Sequence, residues 1–124
     1  MVETTDKFTR EGENNAKRLI RLSNRNHSNC IRIGQNETRN HALAKFEVCM
    51  KLLEVGKSFY TESIFETRGR ADIFNLTDMV VIEILESETE AQCEAKVQKY
   101  PPGLHFEIAY MENDKLIWKV RKEI

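Results

Sequence analysis

Glu62-Ser63-Ile64-Phe65-Glu66-Thr67-Arg68-Gly69-Arg70-Ala71-Asp72-Ile73, continued by Val80-Val81-Ile82-Glu83-Ile84, is the stretch that decides how this chain folds. From Ser58 onward Phe59, Thr61, Ser63 and Phe65 alternate with Tyr60, Glu62, Ile64 and Glu66, which is the period of a strand. Arg68-Gly69 reads as a turn. Ala71 to Asn75 and Met79 to Leu85, on either side of a Thr77-Asp78 turn, are rich in β-branched and large apolar residues and read as buried central strands. Two acids interrupt them. Asp72 lies between Ala71 and Ile73, and Glu83 breaks an otherwise apolar run. A carboxylate in a central strand is expensive unless a cation or a base accompanies it. Ten residues separate the two acids, enough for one turn and a neighbouring antiparallel strand, so both side chains can project at one end of a sheet. Such a pair repels itself, and a divalent cation with oxygen ligands relieves the repulsion. Plain salt bridges to Arg68, Arg70 or Lys96 are the alternative.

Upstream, the spacing predicts a helix from after Asn36 to Val55, ended by Gly56. Ala42, Leu43, Phe46, Cys49, Met50 and Leu53 recur at intervals of three and four and form the face expected to pack. Downstream, Ser87-Glu88-Thr89-Glu90 fits a capping box. A second helix is expected from Glu88 to about Tyr100, with Pro101-Pro102-Gly103 ending it. Leu104 to Tyr110 and Lys115 to Val120 read as two strands joined in a hairpin across Glu112-Asn113-Asp114. The order is helix, three strands, helix, then one or two strands. Residues 1–36 read as a polar, partly basic arm with a short helix from Asn14 to Leu22, and residues 37–124 as one domain.

Lys17, Arg18, Arg21, Arg25, Arg32 and Arg39 face the single acid Glu37 between residues 17 and 39, whereas from residue 41 acids outnumber bases by fifteen to eleven. A basic arm that follows a phosphate backbone, joined to a body with an acidic site, has this asymmetry; so does a solvated tail. Cys30, Cys49 and Cys93 form no CxxC pair, and His27, His41 and His105 are scattered, which argues against a disulfide framework or a zinc site. Met79 to Ile82 is the longest apolar run, too short for a bilayer, and a cytoplasmic protein without membrane contact is expected.

Set in that element order, the two quoted stretches resemble the core motif of the PD-(D/E)XK nuclease superfamily, which includes restriction enzymes and archaeal Holliday-junction resolvases. The resemblance spans His41 to about Tyr110. It implies an α/β fold with a restriction endonuclease-like core, in which the helices flank a central mixed sheet. It further implies DNA as substrate and hydrolysis of a phosphodiester by a water activated on Mg2+ or Mn2+. In the family an aspartate and a second acid bind the metal; these correspond to Asp72 and Glu83, with Glu47 on the first helix as an assisting acid and Glu62 as an outer metal ligand. The family lysine, two residues beyond the second acid, is replaced by Leu85. Leucine can neither orient a water nor offset charge on the phosphate. Either the amine has moved, to Lys96, Lys99 or Lys45, or the chain is a degenerate nuclease that serves as a nucleic-acid-binding or assembly module.

Arg68, Arg70, Lys45, His41 and Lys99 are the candidates for contact with DNA. His41 and Lys45 lie one helical turn apart, which an exposed helix edge also explains. Lys96 and Lys99 at a helix end also suit the helix dipole. Trp118 is expected to pack, and the edge of the last hairpin offers a surface for a homodimer.

Overall fold

The computed structural model describes residues 12–21, 28–67, 69–86 and 89–123. In chain order the elements are α1 (Arg39–Glu54), β1 (Phe59–Ile64), β2 (Arg70–Asn75), β3 (Val80–Ile84), α2 (Glu90–Val97), β4 (His105–Glu112) and β5 (Lys115–Glu123). The strands form one five-stranded sheet in the order β1-β2-β3-β4-β5. All neighbours are antiparallel except β3 and β4, which run parallel. A parallel pair needs a crossover, and α2 supplies it. The protein is thus α/β with a mixed sheet, and the element order matches the one expected. No helix among the described residues is long and apolar enough to cross a membrane.

β3 occupies the middle of the sheet, and all five of its residues are buried. Burial on both faces explains why it is apolar at every position but Glu83. On one face Ala44, Val48, Cys49 and Leu52 of α1 pack over Phe59, Ile73, Ile82, Ile84 and Ala109. On the other, Cys93, Val97 and Tyr100 pack over Phe74, Val81 and Phe106. Ala16 and Ile20 join that second core, and Ile20 forms an isolated bridge with Phe65. Residues 12–21 therefore belong to the body, not to a separate arm. Here a helix covers only residues 12–17, shorter than the one expected from Asn14 to Leu22. The Asn29 and Arg32 amides donate to Phe59 O and Thr61 Oγ1, so this segment covers the outer edge of β1.

Of the face that the spacing indicated for α1, only Cys49 is fully buried. Leu43, Phe46, Met50 and Leu53 are exposed, whereas Ala44, Lys45, Val48, Cys49 and Leu52 are buried. His41 and Lys45 lie on the inward side, and their partners on β1 and β2 fix the rotation of the helix. Caps set the helix starts. Thr38 caps α1 and Thr89 caps α2, the latter in a reciprocal box with Gln92, so α2 begins at Glu90 and not at Glu88. It ends at Val97, leaving Tyr100 on the turn beyond, where its amide donates to Val97 O. Asn113 and Asp114 both adopt positive φ, as the two-residue hairpin between β4 and β5 requires.

Candidate functional site

Ile73 pairs with Ile82 and Phe74 with Val81 across β2 and β3. One step further, that register sets Asp72 opposite Glu83, close enough for each carboxyl group to shift the titration of the other. The ladder departs from its usual form here: the Ile84 amide donates to Asp72 Oδ2 at 2.8 Å. Asp72 is held from the α1 side by His41, whose Nε2 lies 3.5 Å from Oδ2. Glu83 is completely buried and is held from the other side. The Tyr100 phenol hydrogen-bonds Glu83 Oε1, and Lys96 Nζ lies 3.7 Å from Oε2. Glu83 Oε2 nevertheless has no hydrogen-bond partner among the described residues.

The electrostatics of the two acids diverge. Burial opposes ionisation of Asp72, yet His41, Glu83 and the Ile84 amide outweigh it and hold this carboxyl at about 2. Burial, then the charge of Asp72, pushes Glu83 well above the ordinary carboxylate range. Both effects favour the protonated form of Glu83. The bond to Asp72 raises His41 to about 9, against the opposing effect of burial, so this imidazole is a cation at neutral pH and donates from both nitrogens.

A row along the start of α1 completes the site. Glu37, His41 and Lys45 succeed one another at intervals of one turn. His41 Nδ1 bonds Glu37, and the Lys45 ammonium lies 2.8 Å from each of Glu37 Oε1, Glu62 Oε1 and the Arg32 carbonyl. Glu62 occupies a positive φ of 52°, an uncommon conformation for a residue with a side chain and one that gathers at functional sites. Gly34, Gln35, Thr38, His41, Glu62, Arg70 and Glu86 are among the residues lining an open cleft of about 430 Å³. Glu86 accepts from the Thr38 hydroxyl across it.

The expected residues are distributed unevenly around this site. Asp72 and Glu83 converge, and Lys96 reaches Glu83. His41 and Arg70 line the cleft, Arg70 with its side chain 63% exposed. Lys45 is fully buried between acids, so it cannot touch a nucleic acid. Glu47 is exposed and, six residues from His41, lies about 240° around the helix, away from Asp72. It takes no part in the acid pair. Glu62 reaches the cleft with its oxygens toward Lys45 and Arg70. Lys99 is exposed beyond α2, and Arg68 lies outside the described residues. Leu85 packs in the core on the α2 side. Glu37, Thr38, Glu86 and Tyr100 were not foreseen as site residues; the four-residue spacings Glu37-His41-Lys45 and Lys96-Tyr100 were the signals available.

Comparison with known proteins returns no matching family model, no matching curated protein and no matching solved structure.

The donor set itself discriminates among metals. No group of three or more His, Cys, Asp or Glu among the described residues is placed to hold an ion. Two facing carboxyl groups, one with an oxygen lacking a hydrogen-bond donor among the described residues, are the type of oxygen ligand that a hard cation such as Mg2+ or Mn2+ takes, although neither acid lines the cleft.

Proposed function

We propose that this chain is a metal-dependent nuclease with a restriction endonuclease-like core, acting on DNA phosphodiesters. The buried Asp72–Glu83 pair, in which Glu83 Oε2 has no donor among the described residues, carries this reading. The helix–three strands–helix–two strands order and the parallel β3–β4 pair support the same fold. A bound magnesium or manganese ion would supply Lewis-acid stabilisation of the phosphate and a more acidic water.

Asp72 and Glu83 hold that ion. His41 and the Ile84 amide keep Asp72 oriented, and Arg70 on the cleft wall meets the phosphate backbone. Lys96, 3.7 Å from Glu83, provides the amine that Leu85 does not. The direct test is cleavage of supercoiled, branched and single-stranded DNA with Mg2+ or Mn2+. Cleavage is expected from the wild type and none from Asp72→Ala; equal cleavage by both eliminates the assignment.

One observation favours a second reading. Leu85 is only 8% exposed and is built into the core, so the position of the family lysine has been absorbed into packing. On that reading the chain binds DNA without cutting it. Mobility shifts that weaken steeply with salt, with no cleavage in either metal, identify this case.

A further inference from the structure

Tyr100 sits where the two sides of the acid pair are tied together. Its ring is buried, 5.2 Å between centroids from Phe65, and it lies against Gly69. A Cβ at residue 69 would stand 2.3 Å from Tyr100 Cδ1 and 2.6 Å from Cε1, so only glycine leaves the ring in this position. The phenol oxygen is within 2.5 Å of the Arg70 carbonyl, on the strand that carries Asp72, and it also bonds Glu83 Oε1 on the neighbouring strand. One acceptor satisfies a buried phenol. This hydroxyl has two, and they belong to the two strands whose acids must meet.

Lys96 lies one helical turn earlier in the sequence and approaches the other oxygen of the same carboxyl group. Tyr100 and Lys96 thus straddle Glu83. The lysine is 43% exposed and 3.7 Å away, too loose to fix the carboxyl plane. The phenol is close and buried, with its ring confined on two sides.

We infer that Tyr100 is a positioning residue for the cation site: its hydroxyl fixes the carboxyl plane of Glu83 against β2 and so holds that carboxyl opposite Asp72, with Gly69 as the steric condition. The inference rests on the cation-binding reading of the acid pair. A purely packing role makes a different prediction, because Tyr100→Phe keeps the ring and removes only the oxygen. Without the hydroxyl, Glu83 Oε1 loses its donor and the carboxyl can turn about its last torsion.

The experiment is Mn2+ binding to the full chain, followed by electron paramagnetic resonance and calorimetry. Outer groups that orient a metal ligand are typically worth about 10- to 100-fold in affinity, and a loss of that size is expected for Tyr100→Phe. Removing the hydroxyl strips buried acceptors of their donor, so the metal-free variant should melt below the wild type. Affinity is therefore measured well below that transition, where both proteins are folded and a packing role alone predicts no loss. Gly69→Ala serves as the second variant: it retains the hydroxyl, displaces the ring, and should weaken Mn2+ binding likewise. Wild-type binding with unchanged affinity in both variants overturns the positioning role and leaves the cation site standing. A wild type that takes up no Mn2+ overturns the cation site itself, and the role of Tyr100 with it.

Discussion

His41 couples the helix α1 to the acid pair, and its charge is a property of that setting. Both ring nitrogens face carboxylates, Glu37 on one side and Asp72 on the other. Because its affinity for a proton is higher in the folded chain, rising from 6.5 to about 9, the charged imidazole stabilises the fold. That contribution is complete below pH 6.5 and is lost as the pH rises to about 9, at up to about 1.4 kcal/mol per pH unit. In EDTA, wild type and His41→Gln should therefore differ most in stability near pH 6 and converge above pH 9. A difference that stays constant across this range would mean that folding does not raise the proton affinity of His41. Asp72 and Glu83 were legible at this scale because each breaks an apolar strand. Glu37 was not, since among six bases it reads as a stray counter-charge, and Lys45 looks the same in sequence whether it meets water or two acids.

The strands emerge from the sequence better than the orientation of the helix does. β1 alternates and β3 is apolar apart from Glu83, and both patterns have one simple structural meaning. α1 carries two candidate stripes. Leu43, Phe46, Met50 and Leu53 have the larger side chains, but Ala44, Val48, Cys49 and Leu52 are the ones buried. Polar anchoring decides between them, because turning the larger stripe inward would pull His41 from Asp72 and Lys45 from Glu62. Periodicity counts only apolar residues and cannot register such anchors. Adjacent leucines provide the test. Leu52 is 4% exposed and Leu53 is 40% exposed. Leu52→Ala should cost about 2–5 kcal/mol in urea unfolding, and Leu53→Ala no more than about 0.5 kcal/mol. The reverse ranking would restore the orientation expected from spacing.

At the scale of the molecule, one sheet serves two cores, and each core contains one cysteine. Cys49 lies under α1, Cys93 under α2, and Cys30 is exposed. Burial pushes the Cys49 thiol up to about 12, with Lys45 only partly offsetting it, so this group offers almost no thiolate while the fold is closed. Both cores rest on β3, and opening either would expose apolar side chains of the strand at the sheet centre. The two layers should consequently open together, as expected of a small cooperative domain. Under native conditions a thiol reagent should label Cys30 alone. As urea is added, Cys49 and Cys93 should become reactive with a common dependence on denaturant, read by peptide mass after brief labelling. Earlier labelling of Cys93 would show that the α2 layer separates on its own, taking Tyr100 and Lys96 from Glu83 while Asp72 stays bound to His41. The acid pair would then be assembled and dismantled by motion of one layer, and cation affinity would depend on denaturant well below global unfolding.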